Sequence, residues 1–216
     1  MNQPLDNKTF KVKDCVFCSI SESTAIADEI LYETPNFYVV TAVGCFVENY
    51  IMIVSKLHLV SMCYIEDCVK GELIELINKF KNVFWKKYGF WPVVFEHGAS
   101  NCDTNKGGCC VLHAHVHMVP HKLNNWQEIV KKLELTKIDK YDYFFNIAYN
   151  KPYLFFVNND DEIFLRILVD SVIPSQIIRR WIAKDLKMAE KWDWRQYPFD
   201  ENIVATVESM KLLVRY

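Results

Sequence analysis

The sequence predicts an α+β fold in two regions, residues 1–122 and residues 123–216. Three observations predict it. Short runs rich in β-branched and aromatic residues recur between turn signals. Segments with apolar residues three and four apart interrupt them, as amphipathic helices do. Past His121 a second set of strand and helix signals begins, a C-terminal α/β extension. No flexible linker precedes it, so the extension is expected to pack on the first region rather than swing free.

The elements follow in order. Residues 30–41 (ILYETPNFYVVT) read as two short strands around a Thr-Pro-Asn turn, and residues 50–54 (YIMIV) as a buried strand. Over 66–88, Val69, Leu73, Leu76, Ile77, Phe80 and Phe84 recur at helical spacing, and Gly89 ends the helix. Residues 91–96 form a strand. The stretch ASNCDTNKGG is a loop by composition. Residues 111–119 (VLHAHVHMV) are a strand ended by Pro120. In the extension, residues 126–135 read as a helix, and PYLFFV and EIFLRILV flank an Asn-Asn-Asp-Asp hairpin turn. Residues 175–189, after Pro174, form an amphipathic helix with Ile177, Ile178, Trp181, Ile182 and Leu186 on one face. A last helix spans about 201–213.

Composition limits the function classes. The chain has 216 residues, 51% hydrophobic and 24% charged, enough for a real core and unlike a disordered chain. A net charge of −2 gives no sign of a nucleic-acid partner, so any phosphate recognition is local. No run of about 18 apolar residues predicts a membrane span. The first residues, MNQPLDNKTFKVKD, lack an apolar signal core. A cytoplasmic protein is expected. There the eight irregularly spaced cysteines are thiols or metal ligands rather than disulfides.

Four of the six histidines fall within nine residues: His113, His115, His117 and His121. In a strand, alternation puts the first three rings on one face, with Leu112, Ala114, Val116 and Met118 on the other. An apolar back and an imidazole front suit two chemistries. Three histidines hold one catalytic zinc, or one histidine is a nucleophile whose neighbours position a phosphate. The preceding GGCCV fits phosphate better, since glycines let the backbone approach a ligand and Cys110 is a weak donor beside a leaving-group oxygen. Cys15 and Cys18 are spaced to reach one ion. As a lone Cys-x-x-Cys they are half a zinc site, a redox pair or a coincidence. A zinc site needs two more ligands, with His58 and His113 the candidates.

The segment GGCCVLHAHVHMVPH resembles the signature of the histidine-triad (HIT) family, a Gly-rich turn followed by His-x-His-x-His with apolar residues between. DCVFCSI, LYETPNFYVV and YIMIVSKLH resemble further elements of zinc-bearing bacterial members, in the family's order. The resemblance covers about residues 14 to 122. It implies an antiparallel sheet with flanking helices, often a homodimer, and a nucleotide as small-molecule substrate. It implies His115 as a nucleophile forming a nucleotidyl-histidine, His117 at the α-phosphate, and Cys110 near the leaving group. Gly108, Cys109 and His117 are the implied substrate-binding set. A structural zinc is implied on Cys15, Cys18, His58 and His113. The expected function is a nucleotide hydrolase. A transferase or phosphorylase with the same intermediate, or a zinc-stabilised nucleotide-binding module, are the alternatives.

The chain departs from the family's pattern at several positions. Ser55 replaces a proline, Ala42 stands where an aspartate usually binds the ribose, and Cys109 replaces a frequent glutamine. Glu96-His97-Gly98 replaces an Asn- or Asp-containing turn, and loop 99–106 is longer. These changes point to a retained catalytic strand with an altered pocket. In the extension, Gln176, Arg179, Arg180 and Arg195 are of a type to reach a phosphate. The helical pattern places Arg179 and Arg180 on a solvated face. Trp192 and Trp194 are expected to pack rather than to stack on a base.

Overall fold

A computed structural model describes Val12 and residues 15–100, 111–168 and 173–214. The described strands are β1 (Tyr32–Glu33), β2 (Phe37–Thr41), β3 (Ile51–Ser55), β4 (Val93–Gly98), β5 (His115–Val119), β6 (Thr136–Ile138), β7 (Tyr153–Val157) and β8 (Ile163–Ile167). They form one sheet in the order β1-β2-β3-β5-β4-β7-β8-β6. Every pairing is antiparallel. Five helices flank it: α1 (Asp67–Tyr88), α2 (Trp126–Lys132), α3 (Tyr141–Ala148), α4 (Ile177–Asp185) and α5 (Asp200–Leu213). The architecture is therefore α+β, as the sequence predicts.

The central strands read as near-continuous apolar runs because both faces of the sheet are covered. On one face Ile51, Ile53, Val94, Val116, Met118, Tyr153 and Phe155 meet Leu73, Leu76, Phe80 and Phe84 of α1 and Phe144 and Phe145 of α3. On the other, Met52, Val54, Val93, Phe95, Val119, Leu154 and Phe156 meet Ile129 of α2 and Ile178, Ile182 and Ala183 of α4. α1 ends where Gly89 takes φ +74° and its N–H bonds to the Trp85 carbonyl. That left-handed cap favours glycine.

Several element readings change. The histidine strand, expected from residue 111, begins at His115. Just before it, the Ala114 N–H donates to the Leu59 carbonyl, outside the sheet, at 2.6 Å. α2 stops at Lys132, and Glu134 takes φ +49°. β6 and α3 were not anticipated. α3 (YDYFFNIA) is too aromatic for helix propensity to single it out, and burial of Phe144, Phe145 and Ala148 stabilises it instead. α4 is shorter than expected, bounded by left-handed Gln176 and Lys187. β7 and β8 form the expected hairpin, and β7 pairs with β4 over five residues. The extension's strands thus continue the sheet of the first region.

Candidate metal centre and histidine cavity

Cys15, Cys18, His58 and His113 come together, with one ligand atom from each lying within 4.8 Å of all the others. Cys15 and Cys18 share one turn, closed by the Cys18 N–H to the Cys15 carbonyl. The His113 Nε2–H donates to the Ser55 carbonyl (2.7 Å), which fixes the tautomer and turns the Nδ1 lone pair to the thiols. Nδ1 lies 3.4 Å from the Cys15 Sγ and 3.7 Å from the Cys18 Sγ. The His58 Nδ1 is 3.3 Å from the Cys18 Sγ. A tetrahedral zinc with ordinary bond lengths separates sulfur from nitrogen by about 3.5 Å. The donor set, two thiols and two imidazoles, is one that zinc takes in structural sites. Burial, with the neighbouring His58 and His115, holds His113 neutral by taking its pKa down to about 4. A metal-ligating imidazole must be neutral.

His115 and His117 line a cavity of about 330 Å³ next to this cluster, together with Val16, Phe17, Phe95, His97, Arg179 and Trp194. β5 positions both histidines. Its odd residues face the cavity side, while Val116 and Met118 enter the core under α1. The His115 Nδ1–H donates to the His113 carbonyl at 2.6 Å. A carbonyl only accepts, so the proton sits on Nδ1 and the lone pair on Nε2. The His117 Nδ1 lies 3.0 Å from the Tyr50 hydroxyl, and its ring stacks on Phe95 with centroids 4.5 Å apart. Desolvation lowers the pKa of both rings. For His117 the effect is strong, and His115 and then Arg179 add to it. Two neutral imidazoles therefore sit side by side, with ring centroids 4.8 Å apart.

The Cys15–Cys18–His58–His113 cluster and the cavity share a wall. Phe17, between the two cysteines, packs on His113 at 5.5 Å and on His115 at 5.1 Å. Behind the sheet, the buried Glu96 accepts the Met62 N–H at 3.0 Å, a short bond from the Tyr153 hydroxyl, and the His115 backbone N–H. Burial raises its pKa to about 8. This carboxyl supports the start of β5 rather than facing the cavity.

The structure brings together six of the sequence-singled residues: Cys15, Cys18, His58, His113, His115 and His117. Gly108, Cys109 and Cys110 lie outside the described residues. His121 stands apart, 2.7 Å from Asp185. Arg179 requires a correction. It was expected on a solvated face, yet it is 3% exposed and lines the cavity. Gln176 takes a left-handed φ of +57° just before α4, and Arg179 meets the Gly44 turn rather than water. Arg180 stacks on Trp192 at 3.4 Å. Trp194 is both a packing residue and a cavity wall. Sequence reasoning also missed Tyr50, Phe95 and Asp28. Tyr50 and Phe95 read as ordinary strand hydrophobes. Asp28 sits on a 3₁₀ turn without a motif, its carboxylate accepting the Ser23 hydroxyl at 2.6 Å.

No family model matches the chain, and no curated protein sequence matches it. Solved structures do. A Zn-bound histidine triad family protein from Mycobacterium smegmatis matches with a TM-score of 0.42 at 18% identity, covering 52% of this chain and 78% of that one. A histidine triad protein from Clostridium difficile matches with a TM-score of 0.38 at 24% identity over 51% of this chain and 92% of its own. A hypothetical protein from Leishmania major matches with a TM-score of 0.43 at 13% identity, covering 82% of this chain and 94% of that chain. The chain is similar to histidine-triad proteins. No helix among the described residues is long and apolar enough to cross a membrane.

Proposed function

We propose that the chain is a nucleotide hydrolase that cleaves at an α-phosphate through a covalent intermediate on His115. The observation that carries this reading is the pair of tautomers: a neutral His115 with its Nε2 lone pair available, beside a neutral His117, on the wall of one cavity. A neutral imidazole is a competent nucleophile near pH 7. Nε2 forms a bond to the α-phosphorus as the bond to the leaving group breaks. The leaving group keeps that electron pair and takes a proton from Cys110, the donor that the resemblance implies. Water then attacks the phosphorus and gives its proton back to the Cys110 thiolate, the N–P bond breaks, and His115 regains its lone pair. His117 contacts the phosphoryl oxygens, and Gly108 and Cys109 keep the substrate-binding role that the resemblance implies. Dinucleoside polyphosphates and nucleoside phosphoramidates are the substrate class.

Cys15, Cys18, His58 and His113 would hold a zinc. When bound, it would brace the Phe17 wall and the His113 carbonyl without entering the reaction. Ala42 is fully buried and offers no ribose contact. Asp28 lies on the cavity wall, and its carboxylate is proposed to accept the sugar hydroxyls in place of the missing aspartate. Residues 1–122 form the catalytic unit, and residues 123–216 close one side of its cavity through Gln176, Arg179 and Trp194.

The test is a rapid alkaline quench of protein mixed with adenosine and guanosine phosphoramidates and dinucleoside polyphosphates, read by intact mass. Wild type gains a nucleotide-sized mass, and His115→Asn gains none. Absence of both adduct and turnover across the panel would sink the proposal. Added inorganic phosphate separates hydrolase from phosphorylase, because only the latter then changes its product.

A further inference from the structure

The resemblance gives no role to Tyr50 or to any residue of the extension, yet both reach His117. Arg179 of α4 is buried, and all of its described hydrogen bonds go to neutral acceptors. Nε donates to the Gln176 Oε1 at 3.1 Å and to the Trp192 carbonyl at 3.3 Å. Nη1 donates to the Tyr50 hydroxyl oxygen at 3.1 Å, and Nη2 donates to the Gly44 carbonyl at 2.7 Å. The guanidinium also lies over the rings of Phe46 (4.4 Å) and Tyr50 (5.5 Å). Four acceptors and two aromatic faces, from four parts of the chain, leave the guanidinium one orientation.

That orientation decides the direction of the next hydrogen bond. Tyr50 is fully buried. Its oxygen receives the Arg179 N–H, and among the described residues its proton has one acceptor in reach, the His117 Nδ1 at 3.0 Å. A buried hydroxyl left without an acceptor loses the hydrogen bond that water would give it, with nothing to offset the loss. The hydroxyl therefore donates to Nδ1, which must carry no proton, and the neutral ring carries its proton on Nε2. The Phe95 stack holds the plane of the ring. Nε2–H is then the donor this cavity-lining ring offers to a ligand.

We propose that Arg179 and Tyr50 are positioning residues for His117: Arg179 orients the Tyr50 hydroxyl, and the hydroxyl holds His117 in the Nε2–H tautomer that hydrogen-bonds the reacting phosphate. The proposal rests on the α-phosphate reading of the cavity. It gives the extension a direct part in the chemistry of the histidine strand. It also accounts for a buried arginine whose described contacts include no carboxylate. The charge lies where an anionic substrate would balance it.

The experiment uses the full-length, metal-loaded protein labelled with ¹⁵N-histidine. Long-range ¹H–¹⁵N spectra report the tautomer of each ring, and His117→Asn assigns the signals. Wild-type His117 is expected at the Nε2–H limit. Tyr50→Phe keeps the ring packing and removes only the hydroxyl, so the two ring-nitrogen shifts should move toward each other as an Nδ1–H population appears. Arg179→Met should do the same, and Tyr50→Phe decides the matter if that variant fails to fold. With a substrate from the nucleotide panel, Tyr50→Phe is expected to lower kcat roughly ten- to hundredfold, by analogy with the loss on removing the outer partners of metal-ligating imidazoles, with KM nearly unchanged. A wild-type Nδ1–H tautomer, or unchanged His117 shifts in Tyr50→Phe, would overturn the proposal. So would an unchanged kcat in that variant. The spectra need no turnover, so they decide the tautomer even if every panel substrate fails and the hydrolase reading falls.

Discussion

Glu96 shows how a single side chain ties the histidine strand to pH. In the folded protein burial raises its pKa to about 8, whereas the unfolded chain returns it to the ordinary carboxylate value. The folded state therefore binds the extra proton between those values. Its stabilising effect is complete below the ordinary value and is lost as pH rises toward about 8. Urea midpoints taken across that window should fall with pH in wild type. In Glu96→Gln, which keeps an acceptor for the Met62 and His115 N–H groups, the slope should flatten. His97 has the opposite sign. Burial, with His115 beside it, takes its pKa down to about 4, so its share of stability is lost as pH falls from about 6.5 toward 4. On the cavity wall, Asp28→Asn should raise KM several-fold with kcat little changed, since a sugar contact is made equally in ground and transition states. Equal KM values for the two proteins would remove Asp28 from the substrate site.

Among the elements, the Cys-x-x-Cys turn carries the sharpest expectation. Purified protein should contain about one zinc per chain, in keeping with a four-ligand structural site. Cys18→Ser should lose it, as atomic emission would register, and should melt at a lower temperature. An unaltered zinc content would show that the metal, if any, sits elsewhere. Helix α1 depends on its buried face more than on its N-cap. Its N-cap Glu66 makes no side-chain capping bond, while Leu73, Leu76, Ile77, Phe80 and Phe84 are nearly inaccessible. Phe80→Ala should lower unfolding free energy by about 3–5 kcal/mol, the usual loss for a core phenylalanine. A change below about 1 kcal/mol in denaturant titration would contradict the packing described.

At the scale of the whole molecule, the two regions are joined by hydrogen bonds as well as by apolar contact. β7 occupies the edge of β4, and the Asn49 N–H of the first region donates to the Thr206 hydroxyl oxygen in α5 at 2.8 Å. The Gly44 N–H donates to the Pro198 carbonyl at 2.9 Å. A chain ended at residue 122 would bare the β4 edge and the apolar face that α2 and α4 cover. Such edges invite aggregation. That fragment should be insoluble, and the full chain should unfold in one transition seen alike by circular dichroism and tryptophan fluorescence. Two separated transitions would mean that the regions fold as independent units.

Local spacing alone determined much of this protein. The three- and four-residue apolar period of 66–88 marked α1, alternation around His115 and His117 marked β5, and Cys15-x-x-Cys18 marked two candidate ligands of one ion. These features are legible because each is set by neighbours in the sequence. The tertiary structure decided what depends on distant partners. It placed Arg179 in the interior, because Gly44, Tyr50 and Trp192 supply it with acceptors that no helical pattern reveals. It started β5 at His115, because the Ala114 N–H before it goes to the Leu59 carbonyl outside the sheet. It made α3 a helix through burial of Phe144 and Phe145, and it joined the extension's strands to the first sheet. A hydrogen bond between residues more than a hundred positions apart leaves no period in the sequence, and that is where the two accounts part.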